Sequence, residues 1–203
     1  MQLVLASASP RRLELLQQLG YDPLKSPVDI DESVHDSEKP YAYVARMAKE
    51  KLVAAAHQFC LSNSCIDGRD YLMLAGDTVC VHGEQILIKP EDFSDFQRMM
   101  RVMSGDHHTV ATAYALGVLS NGQLSEVQEH IVKTKVFFRG LSDQEIADYW
   151  KTEEPFDKAG GYGIQGIGAV LVDKIEGSYS NVVGLPLTEV HQSLKSFGLE
   201  SKL

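Results

Sequence analysis

A short run of serines and arginines near the start of the chain carries groups that suit phosphate binding. The run S-A-S-P-R-R occupies positions 7–12, directly after the apolar residues 3–6. Ser9 can cap a helix and Pro10 can take its first position, so the free N–H groups of that helix would face a ligand above the turn. Because helix amino ends and arginine side chains both favour oxyanions, the run predicts a polyphosphate site. The spacing alone leaves open an ordinary capped helix with two solvated arginines.

Carboxylates are concentrated at two places that suit different chemistry. Asp29, Asp31 and Glu32 supply the hard oxygen ligands that Mg²⁺ prefers, although Asp29 and Asp31 taken singly are also explained as solvated loop charges. Asp77 follows the apolar run at 72–76, and ligands of α/β proteins commonly bind where strands end. A charge beside that run carries a desolvation cost that function often explains, so Asp77 is the stronger candidate.

Two distant lysines could complete a phosphate site. Lys51 falls on a predicted helix and Lys89 at the end of a predicted hairpin, and either could be an ordinary surface lysine. If folding brings them to Arg11 and Arg12, they would balance the negative charge of a bound triphosphate.

A glycine-rich segment occupies the last third of the chain. The run G-Y-G-I-Q-G at 161–166 matches G-x-G-x-x-G, but it follows a polar stretch and leads into a β-like run, which excludes a dinucleotide-binding turn. Such glycines allow close backbone approach to a flat ligand, and the Gln165 amide could read base edges. A merely flexible loop is the alternative.

Several other chemistries are excluded. His107 and His108 are adjacent and point to opposite faces of a strand, a poor arrangement for one metal ion. Cys60, Cys65 and Cys80 form an odd set without ligand spacing, so we expect free thiols in a reducing compartment. The motifs HExxH, GxSxG and the P-loop lysine are absent, which argues against zinc peptidases, nucleophile-elbow hydrolases and Walker ATPases.

Composition favours one compact protein without nucleic-acid or membrane partners. The 203 residues carry a formal net charge of -9, whereas nucleic-acid binders need positive surfaces. A hydrophobic content of 44% is enough to bury a core, and we expect a single domain over residues 1–203. With no basic leader and no apolar run of about 18 residues, we expect a cytoplasmic location.

Periodicity places these groups on alternating strands and helices. The predicted elements are a strand at 3–6, a helix ending before Gly20, an acidic connection at 21–40, a helix from about 44 to 57, a loop at 58–70, a strand at 71–75, a strand pair at 79–81 and 86–88, a helix opened by Glu91 and Asp92 and ended by Gly105, a hairpin of 107–119 and 126–138, a helix from Ser142 to about Lys151, a strand at 169–175 and a terminal helix begun by Pro186. Their irregular order indicates an α/β fold with a mixed sheet.

Five motifs in register resemble the Maf family of nucleotide pyrophosphatases over about residues 2 to 198. They are L-A-S-A-S-P-R-R, D-I-D-E, A-G-D-T, a K-P pair after the hairpin, and D-K-A-G-G-Y-G-I-Q-G. The resemblance implies an elongated mixed sheet flanked by helices, related to the inosine triphosphatase fold, with two lobes, a central cleft and a homodimer. It also implies cleavage of a nucleoside triphosphate between its α and β phosphates, with Mg²⁺ or Mn²⁺ as cofactor.

The resemblance assigns roles to particular residues. It implies Asp77 as the proton acceptor for the attacking water, and it places specificity positions at Arg11, Thr78 and Gln165. The positions expected to hold phosphates or the metal are Ser7, Arg12, Glu32, Lys51 and Lys89, with Glu32 and Asp77 as metal ligands.

The sequence K-A-G-G-Y-G-I-Q-G resembles the corresponding segment of the family branch that acts on dTTP and UTP. This resemblance predicts a house-cleaning pyrophosphatase for pyrimidine triphosphates. Alternatives are a nucleotide-binding regulator of cell division and a hydrolase for another base, such as N7-methylguanosine triphosphate. Ala8 replaces a common Gly, and the 58–70 loop is longer than usual. These departures concern loop conformation and remove no reactive group.

Overall fold

The computed structural model describes residues 1–62 and 68–202. The α-helices within these residues are α1 (Pro10–Gln18), α2 (Pro40–Leu61), α3 (Phe93–Met103), α4 (Asp143–Trp150), α5 (Tyr179–Val183) and α6 (Leu187–Ser196). The strands are β1 (Gln2–Ala6), β2 (Leu24–Lys25), β3 (Tyr71–His82), β4 (Gln85–Leu87), β5 (His107–Ser120), β6 (Gln123–Phe138) and β7 (Val172–Glu176). Short 3₁₀ helices cover Glu154–Asp157, Ala159–Gly161 and Ile167–Leu171.

The strands form one mixed sheet in the order β2-β1-β3-β5-β6-β7, with β4 paired to β3. Strand β1 runs parallel to β2 and β3, whereas β4 is antiparallel to β3 and β7 is antiparallel to β6. The predicted α/β class with a mixed sheet is therefore confirmed. The last β1–β3 pair joins Ala6 to Ala75, so Ser7 and Gly76 leave this pairing at the same level.

The chain divides into two compact units. The first contains Met1–Asp77, Thr112–Ile131 and Gly184–Leu203, and the second contains Thr78–Ala111 and Val132–Val183. The expectation of one domain over residues 1–203 stays a prediction.

The core of the first unit forms where helices carry apolar residues at helical spacing onto buried strands. Val44, Met47 and Leu52 lie on one face of α2 and are fully buried, as Leu74 is on β3. This burial confirms the helical spacing predicted for the second helix.

The core of the second unit surrounds the methionines of α3. Asp92 caps this helix by accepting a hydrogen bond from the Asp95 N–H (2.8 Å), as the acidic start of the helix predicted. The buried cluster consists of Cys80, Leu87, Phe96, Met99, Met100, Met103, Val110, Val136, Phe138, Ile146, Tyr149, Tyr162 and Leu171. The α3 methionines are therefore core residues. Burial also raises the pKa of the Cys80 thiol, so this free cysteine is unreactive.

Helix α2 is longer than the apolar spacing predicted. The prediction ended the helix near His57 and began a loop at 58, but the helix reaches Leu61. The additional turn is stabilised because Phe59 is buried and meets the Tyr71 ring edge-on, with 4.9 Å between ring centroids. The predicted loop is therefore wrong for its first residues.

Strand β3 also continues further than predicted. It does not end at Ala75 but runs through Gly76 and Asp77 to His82. A Cβ at Gly76 would lie 3.1 Å from the backbone oxygen of Ala113, so glycine allows this close backbone approach. Asp77 lies within a strand, and its accessibility comes from the end of the β1 pairing at Ala75.

Some of the remaining elements agree with the sequence, but the connection predicted at 21–40 contains strand β2, α2 begins at Pro40 instead of near residue 44, and α5 was not predicted. The hairpin of β5 and β6 turns at Asn121 and Gly122, whose φ values of 49° and 77° suit a two-residue turn. Ser142 forms the predicted capping box. The strand predicted at 169–175 is shifted, because residues 167–171 form a 3₁₀ helix before β7. No helix among residues 1–62 and 68–202 combines the length and apolar character needed to cross a membrane.

Candidate active site

The residues that the sequence singled out fall in both units. The first unit contains Ser7, Arg11, Arg12, Glu32, Lys51 and Asp77. The second contains Thr78, Lys89 and Gln165.

A lysine on α2 joins two of the predicted carboxylates. Lys51 Nζ donates to Asp77 Oδ1 at 2.7 Å and lies 2.6 Å from Glu32 Oε1. The Lys51 and Asp77 side chains are only 12% and 16% exposed, whereas Glu32 is 52% exposed. Folding thus brings together three charged groups that lie far apart in the sequence, as the triphosphate hypothesis required for this part of the site.

Helix α2 also holds the segment that carries Glu32. The Tyr43 hydroxyl donates to the backbone oxygen of Glu32 (3.0 Å), and burial together with the negative charges of Asp77 and Glu32 raises the pKa of Tyr43 to about 12. Arg46 forms a two-point pair with Glu38, with both N–O distances 2.7 Å. Side chains of a single helix therefore hold the chain at Glu32, the last residue of the acidic run, and at Glu38 beyond it.

The acidic run at 29–32 divides by role. Asp29 and Asp31 are exposed, and Asp31 Oδ1 accepts from the Ser33 N–H (2.9 Å), a local turn contact. Glu32 is the member that reaches Lys51. The solvated-loop alternative thus fits the two aspartates, and the ligand hypothesis stays with Glu32.

Arg12 lies buried at the first turn. Its Nε donates to the backbone oxygen of Gly184 (2.8 Å), and its Nη1 donates to Ser7 Oγ (3.1 Å). A Cβ at Gly76 would lie 3.7 Å from Arg12 Nε, so the guanidinium packs beside the strand that carries Asp77. Burial lowers the pKa of Arg12 and the nearby Asp77 charge opposes that shift; the guanidinium stays protonated.

The first turn differs in one respect from the prediction. Pro10 opens α1 as expected, but the Ser9 side chain makes no capping hydrogen bond. Ser7 Oγ instead accepts from the Ser9 N–H (3.2 Å) as well as from Arg12. Ser7 therefore organises the turn, and Ser9 occupies the predicted N-cap position without a capping hydrogen bond from its side chain.

This arrangement can support proton transfer and cation binding. Asp77 is a hydrogen-bond acceptor held in place by Lys51, and Arg12 adds a second positive charge nearby. Among the residues that the structure describes, no group of three or more histidine, cysteine or acidic side chains could hold a metal ion. Two convergent carboxylates nevertheless fit Mg²⁺, which is usually bound by one or two carboxylates together with substrate phosphates and water.

In the second unit, Gln165 is exposed on a turn closed by the hydrogen bond from Gly166 N to Gly163 O (3.3 Å). The carboxylate of Glu154 and the hydroxyl of Tyr149 bind the backbone around this turn. Sequence reasoning missed both residues. The available signal was the cluster of glycines at 163, 166 and 168, which indicates a close neighbour without naming it.

The space beside these glycines is filled by the chain itself. Cβ atoms at Gly163, Gly166 and Gly168 would contact Glu154 or Tyr149, and one at Gly160 would lie 2.8 Å from Cys80 Sγ. Their small size is therefore required for internal packing, and the expected close approach of a flat ligand stays a prediction.

The two histidines behave as the strand pattern predicted. His107 is exposed, whereas His108 is buried and its Nε2 lies 2.7 Å from the Tyr162 hydroxyl. Burial lowers the pKa of His108 to about 3, so the imidazole is neutral. His108 is a core residue. Of the cysteines, Cys80 is a buried free thiol, Cys60 is partly buried, and Cys65 lies outside the described residues.

Comparison with known proteins identifies the same family as the sequence motifs. The family model described as Maf-like protein matches residues 2–197. A dTTP/UTP pyrophosphatase of Pseudoalteromonas atlantica is 46% identical over 198 residues, which cover 97% of each chain. A dTTP/UTP pyrophosphatase of Hahella chejuensis is 44% identical over 199 residues, covering 98% of this chain and 94% of the relative.

A solved structure, that of the Staphylococcus aureus Ham1 protein, aligns with a TM-score of 0.48 and 8% identity, covering 98% of this chain and 100% of that chain. At so low a score and identity, this likeness supports no conclusion about the present chain. The family match and the two bacterial relatives extend over nearly the whole chain, and the chain therefore belongs to the Maf family.

Proposed function

We propose that this protein is a nucleoside triphosphate pyrophosphatase that hydrolyses dTTP and UTP to the monophosphate and pyrophosphate, a house-cleaning activity on the nucleotide pool. The observation that carries the proposal is the Lys51 ammonium bonded to both Asp77 and Glu32, with Arg12 beside the same strand. The names of the bacterial relatives supply the substrate class.

In the proposed reaction, Asp77 accepts a proton from water. The water oxygen forms a bond to the α-phosphorus, the bond from that phosphorus to the α–β bridging oxygen breaks, and its electron pair leaves with pyrophosphate. Asp77 Oδ1 is bonded to Lys51, so we assign Oδ2 to the water. Lys51 and Arg12 offset charge on the departing pyrophosphate, and we assign the same role to Arg11 and Lys89.

A divalent cation, Mg²⁺ or Mn²⁺, belongs to this proposal. Glu32 and Asp77 would hold it, since their carboxylates converge on the single Lys51 ammonium. When bound there, the cation would neutralise phosphate charge as a Lewis acid. Ser7 supports the site by orienting Arg12.

Selection of the base is assigned to Arg11, Thr78 and Gln165. Gln165 is exposed and its amide offers both a donor and an acceptor, which is the chemistry needed to read a pyrimidine edge. Replacing Gln165 by Ala should therefore change the preference among bases more than the rate of the chemical step. We also propose a cytoplasmic homodimer without nucleic-acid or membrane partners.

The test is a panel of nucleoside triphosphates, including N7-methylguanosine triphosphate, incubated with MgCl₂ or MnCl₂ and assayed for pyrophosphate. We expect dTTP and UTP to give the highest kcat/KM. Triphosphates that raise the melting temperature without releasing pyrophosphate would establish the nucleotide-binding regulator instead. A preference for N7-methylguanosine triphosphate would overturn the pyrimidine assignment alone.

A further inference from the structure

One carboxylate in the second unit organises the backbone around Gln165. Glu154 Oε2 accepts from the Ile167 N–H (2.7 Å), and Glu154 Oε1 accepts from the Gly168 N–H (2.9 Å) and from the Tyr149 hydroxyl (2.8 Å). The Tyr149 oxygen also accepts from the Gly163 N–H (3.1 Å). Backbone on both sides of Gln165 is thus tied to the same two side chains.

These contacts define the conformation of the turn. The bond from Gly166 N to Gly163 O makes Ile164 and Gln165 its two central residues. Ile164 packs against the core of the second unit, whereas Gln165 is exposed. An anchored neighbour and two anchored flanks leave the Gln165 backbone little freedom.

Glu154 also explains why the turn contains glycines. A Cβ at Gly163 would lie 3.0 Å from Glu154 Oε1, and a Cβ at Gly166 would overlap the Glu154 carboxylate. The backbone therefore wraps around a charged group that is only partly exposed. Burial raises the pKa of Glu154, but hydrogen bonds from the Gly168 N–H, the Tyr149 hydroxyl and the Ile167 N–H outweigh it. They hold the pKa of Glu154 below its ordinary value, so the carboxylate is ionised near neutral pH.

We propose that Glu154 is a positioning residue for base selection: its carboxylate, together with the Tyr149 hydroxyl, presets the backbone of the 163–168 turn so that the Gln165 amide meets the base in one orientation. The proposal rests on the proposed function, which assigns base reading to Gln165. A preset amide costs less conformational entropy when the base binds, so loss of the anchor weakens binding and blurs the choice of base.

The first test measures equilibrium binding of dTTP and dGTP by calorimetry in EDTA, which is independent of turnover. The variant Glu154→Gln keeps the size of the side chain but replaces one accepting oxygen by an amino group, which cannot accept from a backbone N–H. We expect dTTP affinity to fall about 10- to 150-fold, as for one lost hydrogen bond to a charged group, and the ratio of dTTP affinity to dGTP affinity to fall as well. Glu153→Gln is the matched control, since Glu153 is exposed and adjacent, and it should leave both quantities unchanged.

A double-mutant cycle separates positioning from general weakening of the fold. If Glu154 acts through Gln165, Gln165→Ala should change the ratio of dTTP affinity to dGTP affinity in the wild type but not in the Glu154→Gln background. Tyr149→Phe, which removes the hydroxyl at the other end of the anchor, should shift the ratio in the same direction and keeps the test open if Glu154→Gln folds poorly. Kinetics should show a raised KM with kcat changed less than about threefold.

An unchanged base preference in folded Glu154→Gln, or fully additive effects with Gln165→Ala, would overturn the inference. A wild-type protein that binds dTTP selectively but releases no pyrophosphate would refute the proposed activity and leave the binding comparison valid. A wild-type protein that binds neither nucleotide would overturn both.

Discussion

Replacing Lys51 by Met removes the cation that separates two carboxylates. In the wild type, the Lys51 ammonium lies 2.7 Å from Asp77 Oδ1 and 2.6 Å from Glu32 Oε1, and its side chain is 12% exposed. Methionine keeps most of the length and apolar stem of lysine, so the change removes charge with little loss of packing. The two carboxylates then lose the ammonium that contacts both of them.

The expected cost follows from burial. Removing one partner of a buried ion pair destabilises a protein by about 3–5 kcal/mol. Asp77 is largely buried but Glu32 is 52% exposed and can turn toward water, so we expect a loss near the lower end, about 3 kcal/mol. For a chain of this size, that corresponds to a fall in melting temperature of about 6–12 °C.

The variant also makes a prediction about metal binding. With the ammonium gone, a divalent cation can take its place between the carboxylates, and saturation at 100 times the Kd would restore about 2.7 kcal/mol. We therefore expect MgCl₂ to raise the melting temperature of Lys51→Met more than that of the wild type, without nucleotide and at constant ionic strength. Turnover should fall, because the charge that we propose offsets the pyrophosphate is lost.

Lys49→Met is the control for loss of a lysine from the same helix. Lys49 pairs with Glu129 at 2.7 Å, but the two side chains are 55% and 40% exposed, and such surface pairs contribute about 0–1 kcal/mol. Equal melting temperatures for Lys51→Met and Lys49→Met, or an MgCl₂ response no larger than that of the wild type, would refute the reasoning about the two convergent carboxylates.

Three further predictions concern other parts of the first unit. Asp77→Asn should lower kcat at least about 10³-fold while nucleotide affinity changes little, and wild-type rates of pyrophosphate release would remove Asp77 from the mechanism. The Arg46 guanidinium lowers the pKa of Glu38 from 4.5 to about 2, so this pair stabilises the fold above pH 4.5 and the stabilisation is lost as the pH falls toward 2. Between pH 4.5 and pH 2, the free energy of unfolding measured with urea should therefore fall less in Arg46→Ala than in the wild type. Parallel plots of this free energy against pH would contradict the linkage. Gly76→Ala should destabilise the protein by about 1–3 kcal/mol, because its Cβ would lie 3.1 Å from the backbone oxygen of Ala113 on β5.

Gly140→Ala is a suitable control for the last of these substitutions. A Cβ at Gly140 would meet no atom within 4 Å, and its backbone is not left-handed. A melting temperature for Gly76→Ala equal to that of Gly140→Ala would show that the close approach at β3 tolerates a methyl group.

Local patterns were sufficient for the parts of the site that lie next to one another in the sequence. The first turn, the Pro10 helix start and the apolar strand before Asp77 follow from residue types and periodicity. The meeting of Lys51 with Asp77 and Glu32 does not, because it depends on how α2 packs against β3. Motif resemblance identified those residues, but only the fold shows that they touch.

The role of Glu154 could not be predicted from a sequence pattern. Its carboxylate binds N–H groups at residues 167 and 168, and nothing in the polar stretch around Glu154 distinguishes it from exposed Glu153. The continuation of β3 through Asp77 was missed for a related reason. A glycine followed by a charged residue, here Gly76 and Asp77, is typical of a strand end. Only the structure shows that the glycine allows the backbone of β5 to come close and β3 to continue.

Helix α2 carries Tyr43, Arg46 and Lys51, so the acidic segment and the lysine travel as one body. A small slide of this helix along the sheet would leave the spacing between Lys51 and Glu32 intact and alter only the separation from Asp77. One displacement of the helix would therefore change the distance from Asp77 to Lys51 and to Glu32 at the same time, without breaking the contact between Lys51 and Glu32.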